Sequence, residues 1–484
     1  MFNFKLILNV LGVLLIALSA LMLVPALIDL IKSNQAWVSF FIASLFCLGF
    51  GISLFLSTRD DNHDNKLSTK DAFLLTTASW IVIALFGAIP FYISDFEFSL
   101  TDAIFESMSG ITTTGSSIIT DIESMTAGIL LWRSLLQWLG GVGIIVMAIS
   151  ILPVLQVGGM QVFKTESSDT SDKILPRTTQ IASAVLSIYF ILTSLCAIGY
   201  WAFGMEIFDA VNHSMTTIAT GGFSTKSGSI GAFNSSGIDY VSSIFMILAS
   251  LPILIYLQVY KGKITAFIKD QQIITFILII FFSCAAVIIY LWFYNIKEFS
   301  DAARYGFFNV ISIITGTGYT TDNYNLWGAF PIYLLFFGMF IGGCAGSTTC
   351  GIKVFRFQIL FETTKNQIKK VLHPHGVFIA HYNNKKLSDD VITSVMSFFF
   401  VFILSFIGIT LLLSTTQLDF ITSLSAAATA LANVGPGLGS TIGPEGSFYG
   451  IPLGAKWILI IAMLIGRLEL FTVLVLLMPQ FWKN

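Results

Sequence analysis

The sequence predicts an all-α polytopic membrane protein. Two leading helices precede four units of one design: a long helix, a half-length re-entrant helix, a Gly/Thr-rich turn and a second long helix. Three observations carry this reading. The chain of 484 residues is 55% hydrophobic and 11% charged, with a mean hydropathy of +0.83, whereas soluble domains run at about 25% charged. Apolar runs recur from end to end, each long enough to cross a hydrocarbon core of about 30 Å as a helix. Between them lie four shorter stretches, DAIFESMSGITTTG, DAVNHSMTTIATGG, YGFFNVISIITGTG and TSLSAAATALANVG, each too short to span and each ending in glycine.

Hydropathy places ten spanning helices, at 5–31, 37–57, 71–94, 127–156, 180–204, 238–260, 272–295, 329–360, 389–414 and 453–479. The first is too long for a secretory signal and has no small-residue cleavage site before the next hydrophobic run, so it reads as a retained helix. The final glycines of the four short stretches, Gly115, Gly222, Gly318 and Gly435, lie 107, 96 and 117 residues apart. One unit is therefore used four times. The expected organisation is a two-helix leader over 1–68 and repeats over 69–160, 161–265, 266–372 and 373–484, the third with a broken second helix.

Charge distribution gives the expected sidedness. Eighteen of the 25 Lys and Arg fall on the face away from the four turns, from Lys5, Arg59, Lys66 and Lys70 through Lys164, Lys173 and Arg177 to Lys385, Lys386 and Lys483. By the positive-inside rule that face, with both termini, is cytoplasmic, and the four repeats are parallel. The turn face carries Asp95, Glu97, Asp121, Glu123, Asp322 and Glu445, an acidic outer mouth that favours cations. No basic patch suits nucleic acid, and the five cysteines all fall in apolar segments without the spacing of a disulfide or zinc framework.

The four turns read Thr113-Thr114-Gly115, Thr220-Gly221-Gly222, Gly316-Thr317-Gly318 and Asn433-Val434-Gly435. Non-helical backbone at membrane depth persists only where it is buried in protein or lines a water-filled path. Glycine there permits positive φ and close approach of main chain to a ligand. Four such strands around one axis would present rings of carbonyl oxygens, the device that replaces an ion's hydration shell. Each half-helix would aim its negative C-terminal end at the same point.

Two further features look functional. The helix over 330–361 is interrupted by GGCAGSTTCG at 342–351, although each Gly costs a helix about 1 kcal/mol relative to Ala. Its Gly342, Gly343, Gly346, Ser347, Thr348, Thr349 and Gly351 read as a flexible intramembrane gate below the third turn. Arg467 is a cation inside the last span, where ionisable groups face a cavity and have a partner. Glu469, two residues on, does not share its helix face, so the partner is expected from another segment, the gating loop being within reach. Asp102 and Asp209 are expected to cap their half-helices and His213 to be a packed, hydrogen-bonded histidine. His373, His375 and His381 lack a cysteine or carboxylate to complete a metal site. The basic stretch 353–390 is a natural docking face for a regulatory partner.

On these residues the chain resembles, over essentially its whole length, the membrane subunit of the Trk-type bacterial potassium uptake systems, within the superfamily of fourfold-repeat potassium transporters. The resemblance implies a pseudo-fourfold pore in each protomer, a homodimer, and a cytosolic ring of nucleotide-binding regulatory subunits. It also implies a place in the bacterial cytoplasmic membrane, potassium as the transported ion, no bound cofactor, and gating by the loop and Arg467. Glycine in all four turns goes with potassium over sodium. Three positions depart from the family pattern: Cys350 stands where Gly is common, LASLPILIYLQ at 248–258 lacks a polar stretch, and Gly316 replaces a frequent hydroxyl residue. No ATP-hydrolysing motif and no nucleophile, base or metal constellation is present, which argues against an enzyme. The alternatives are a proton- or sodium-coupled symporter and the ion-translocating subunit of a pump.

Overall fold

Large apolar side chains such as Phe190, Phe282 and Leu404 stand exposed on the outer faces of the long helices, the surface a lipid environment requires. The computed structural model describes residues 2–58, 68–150, 159, 178–383 and 385–483. Among these residues seven helices are long and apolar enough to cross a membrane: Phe4–Ile31, Trp37–Ser57, Thr69–Ile93, Ala127–Met147, Ala182–Ala202, Gln271–Phe293 and Asp389–Ser414. The count reaches nine if each of two bent helix pairs is one span. The expected boundary at 160/161, the end of the 127–156 helix, and Arg59, Lys66, Lys164, Lys173 and Arg177 lie outside the described residues.

Three of the expected spans are broken, where the sequence reading broke only one. Ser236–Ala249 and Ile253–Tyr260 meet at 91°, and Leu453–Arg467 and Phe471–Leu477 at 109°. At the first bend Pro252 has no N–H to give and its ring clashes with the preceding turn. The carbonyls freed there are used: Ser250 O accepts from Cys344 N at 3.0 Å, and Ala249 O from the Thr348 hydroxyl at 3.1 Å. At the second bend Glu469 and Leu470 both take positive φ, 59° and 52°. The third break is the expected one, helix Ala329–Gly338 resuming only at Val354–Leu372.

The four short stretches form helices at Leu100–Ile111, Ile207–Ile218, Phe299–Ile314 and Phe420–Ala432, buried over most of their length. Their entries correct the capping expectation. Ser99, not Asp102, is the first cap, its hydroxyl accepting from Asp102 N, while Glu206 holds the cap position before Asp209. Asp102 instead accepts from Lys456 Nζ at 2.6 Å and Asp209 from the Thr225 hydroxyl at 2.8 Å. Each carboxylate thus ties a half-helix to chain that follows it.

The leader packs through small residues, as helices in lipid commonly do. A Cβ on Gly12 would lie 2.9 Å from Gly51 O, so the two backbones meet directly. Buried Asp29 accepts from Gly128 N at 2.7 Å, and Asn3 N donates to Asp71 at 3.0 Å, so the first helix is bonded to later helices at both its ends.

Candidate functional site

The four turns share one backbone conformation. The first and third residues of each have positive φ: Thr113 and Gly115 (52° and 85°), Thr220 and Gly222 (50° and 76°), Gly316 and Gly318 (71° and 79°), Asn433 and Gly435 (53° and 110°). Thr114, Gly221, Thr317 and Val434 between them do not. Such alternation of hand gathers successive peptide groups to one side of the chain.

The turns also touch in cyclic order. A Cβ on Gly115 would overlap Gly221 O, one on Gly222 would overlap Thr317 O, one on Gly318 would overlap Val434 O, and one on Gly435 would lie 2.9 Å from Thr114 O. Each glycine therefore faces the carbonyl just before the glycine of the following turn, and the fourth faces the first. The ring is closed, and only residues without a Cβ fit its contacts.

Side chains strap neighbouring turns together, with different chemistry at each junction. Gln137 bonds Gly221 O (2.6 Å) and Phe223 N (3.0 Å) from the helix that follows turn one. Tyr319 in turn three reaches back to the Thr216 hydroxyl and donates to His213 O at 3.2 Å. His213 is buried and bonded at both ring nitrogens, to Asp209 O and the Ser224 hydroxyl. Asn325 exchanges two bonds with Gly439, joining the chain after turn three to that after turn four. Ser116 donates to Gly435 O and Asn433 Nδ2 to the Thr114 hydroxyl, both at 2.8 Å, closing four onto one.

On one side of the ring lies a cavity of about 90 Å3 lined by the four turn glycines, Ser117, Phe223, Lys226, Thr320 and Pro436, among others. Among the described residues no carboxylate lines it directly, but Ser227 in its wall is bonded to Glu123. Asp322 is occupied by Lys297 at 2.9 Å and Trp327 Nε1 at 2.7 Å. Burial would raise the Glu123 carboxyl, yet hydrogen bonds from the Ser227 hydroxyl and amide hold it below the usual carboxylate range.

The 342–351 loop closes against the opposite ends of the turns. Thr348 Oγ1 accepts from the Thr220 hydroxyl at 3.3 Å, Cys350 Sγ lies 3.8 Å from Thr113 Oγ1, and Cys350 N would be 3.9 Å from a Cβ on Gly316. Its own fold rests on an Ile341–Ile352 bridge, on positive φ at Gly346 and Gly351 (75° and 70°), and on Thr349 Oγ1 accepting from Gly343 N. Two buried cations hold it. Arg467 donates to Thr348 O (3.3 Å), Cys350 Sγ and Gly140 O (2.9 Å), and Lys353 Nζ donates to Thr349 O and its hydroxyl. Arg467 thus finds its partners on other segments, and Glu469 pairs with Arg356.

The sequence reading missed Gln137, Arg133, Glu106 and Lys353. The first three carried the same signal that singled out Arg467, a strongly polar group in an otherwise apolar or half-length membrane segment. Lys353, counted with the exposed basic face, is buried.

A bundle of apolar spans enclosing a closed ring of four glycine turns, with a buried loop across one end, defines a multi-pass membrane transport protein. The chain belongs to the TrkH family of cation transport proteins, whose family model matches residues 37–483. It is 44% identical over 479 residues to the Trk system potassium uptake protein TrkI of Halomonas elongata, covering 99% of this chain and 97% of that one. It is 37% identical to the Trk system potassium uptake protein TrkH of Escherichia coli K12, over all of both chains. The crystal structure of the potassium transporter TrkH from Vibrio parahaemolyticus superposes with a TM-score of 0.92 at 35% identity, covering 100% of each chain.

Proposed function

We propose that this protein takes up potassium across the bacterial cytoplasmic membrane through a pseudo-fourfold pore on the axis of the four turns. In this reading four parallel repeats follow the two-helix leader, giving ten spans and four re-entrant half-helices. The filter is Thr113, Thr114, Gly115, Thr220, Gly221, Gly222, Gly316, Thr317, Gly318, Asn433, Val434 and Gly435. The observation that carries it is the cyclic glycine-to-carbonyl contact, which brings four strands of main-chain oxygens around one point. A ring of carbonyls is what a desolvated potassium ion requires, and the relatives named above are potassium uptake proteins and a potassium transporter.

The loop over 342–351, with Arg467, is the gate, here drawn across the inner ends of three turns. Shortening the loop by three residues is expected to raise potassium flux at least about tenfold without any regulatory partner, since a gap replaces a barrier of buried, bonded chain. Flux at or below wild type would remove the assignment.

Family membership supports a homodimer under a cytosolic ring of nucleotide-binding subunits. These dock on the stretch that exposes Lys365, Lys369, Lys370, Lys385 and Lys386, and both termini lie on that side. A coupled symporter would need a carboxylate relay through the spans, yet Glu469 is held by Arg356 and Glu106 by Arg133. The test is potassium and sodium flux into liposomes bearing the purified protein, with an applied voltage and with or without a pH gradient. Voltage-driven, potassium-selective flux indifferent to the gradient is expected. Flux that follows the proton gradient at fixed voltage would replace the pore with the symporter.

A further inference from the structure

The four junctions of the ring are not equivalent, and the difference sits on one helix face. Arg133 and Gln137 are one turn apart on helix Ala127–Ser150, the spacing that puts two side chains side by side. Both are buried and both reach the second turn. The Gln137 amide is used at both ends, Nε2 donating to Gly221 O at 2.6 Å and Oε1 accepting from Phe223 N at 3.0 Å. Because Gly221 O can only accept and Phe223 N–H can only donate, the amide has one orientation that satisfies both.

Gly221 O is a carbonyl of the closed ring. Among the described residues its three counterparts, Thr114 O, Thr317 O and Val434 O, have no side-chain donor, so one ring oxygen in four is shared with the protein. Arg133 completes the hold. Its NH1 donates to Ser224 O at 2.9 Å, its NH2 to the Ser117 hydroxyl at 3.1 Å, and its guanidinium lies over the Phe223 ring at 4.1 Å. Its charge is matched by Glu106 at 2.8 Å, both side chains being at most 1% exposed. Glu106 in turn accepts from Ile118 N at 2.9 Å and the Ser117 hydroxyl at 3.0 Å. A cation beside the ring is thus neutralised while its hydrogen bonds brace turns one and two.

We propose that Gln137 and Arg133 are positioning residues that set the ring's preference for potassium over sodium, by pinning the Gly221 carbonyl and the chain that follows it. The inference rests on the pore reading. Selectivity at such a ring depends on its size and on the field strength of its oxygens. Holding residues 221–224 at several points resists the contraction a smaller ion would demand. A donor on Gly221 O weakens that oxygen's field, which disfavours the more tightly hydrated ion as well.

The experiment compares wild type, Gln137→Met and Arg133→Lys in liposomes, reading the potassium-to-sodium flux ratio at fixed voltage. Thermal unfolding in potassium and in sodium is read alongside, because an ion that binds the folded state stabilises it by mass action. Gln137→Met keeps side-chain length but donates and accepts nothing at the amide positions; its ratio is expected to fall about tenfold, the scale of one lost hydrogen bond. The extra thermal stabilisation by potassium should shrink in parallel. Arg133→Lys keeps the charge for Glu106 but loses the fork, and should shift the ratio the same way by less. Wild-type ratios and wild-type ion-specific stabilisation in monodisperse variants would overturn the inference. If Gln137→Met does not purify, an unchanged ratio in Arg133→Lys overturns it equally. A wild type without voltage-driven potassium flux sinks the pore reading and this inference together, whereas a selective wild type whose ratio survives the substitutions sinks this inference alone.

Discussion

Alanine at Gly222 or Gly318 is expected to lower potassium flux by at least about a hundredfold, with Gly115 close behind, Gly435 less affected and Gly316 least. The order follows from what each Cβ would meet. At Gly222, Gly318 and Gly115 it would overlap the carbonyl oxygen of the next turn, main chain that cannot swing aside. At Gly435 the nearest atom, Thr114 O, is 2.9 Å away, and at Gly316 nothing lies closer than 3.6 Å. All five have φ between 71° and 110°, a backbone cost for any side chain of roughly 1–3 kcal/mol. Only the first three add a steric conflict inside the ring, where moving one carbonyl moves its partners. The measurement is liposome flux of potassium and sodium for the five alanine variants, with protein incorporation checked for each. Equal losses at Gly316 and Gly222 would mean that strained φ alone matters and that the cyclic contacts do not define the filter.

Arg467→Ala is expected to raise potassium flux about tenfold or more in the absence of a partner. Two effects act in the same direction. The guanidinium clips the loop to the bundle through Thr348 O, Cys350 Sγ and Gly140 O, so its removal frees the segment that lies across the turns. In the proposed pore it is also a buried cation beside the ion path. A unit charge about 10 Å from an ion costs it roughly 1.7 kcal/mol at an effective dielectric of about 20, about a tenfold change in occupancy. Arg467→Lys retains the charge and loses the fork, so it should fall between wild type and alanine. A variant that aggregates instead, with Arg467→Lys folding and conducting like wild type, would assign Arg467 to stability.

Much of the candidate site is legible in the sequence. The four turns announced themselves through repetition, because a half-length helix followed by glycine occurs four times in register. The 342–351 loop was visible as glycine placed where a spanning helix could not want it. Arg467 was visible as a charge in an apolar run. Each is a local anomaly against a strong background, which is why one sequence sufficed.

Other features were carried by the chain and yet misread. Pro252 stands in plain view, but the apolar residues on both sides of it read as one span; the break is marked by Ala249 O and Ser250 O, which accept from the loop. Asp102 looked like a cap because it opens a half-helix. Lys456, 354 residues away, makes it an ion pair instead. Gln137 and Arg133 satisfied the criterion applied to Arg467, but the groups they hold lie 84 and 91 residues downstream. Of the acidic residues of the turn face, Asp322 is paired with Lys297, whereas Glu123 keeps its charge and is bonded to Ser227, which lines the cavity.

By itself the sequence determined the class, the membrane-spanning character, the fourfold recurrence, and the identity of the residues at the turns and in the loop. These follow from hydropathy and from glycine's backbone freedom, properties of a residue and its near neighbours. Only the tertiary structure decided the order in which the turns meet, the straps between them, the bends after Ala249 and after Arg467, and which buried charge answers which. Those depend on pairs brought together across some tens to hundreds of residues. In a bilayer, where water cannot satisfy a stray donor or acceptor, such pairings fix the geometry of the site as much as the residues that line it.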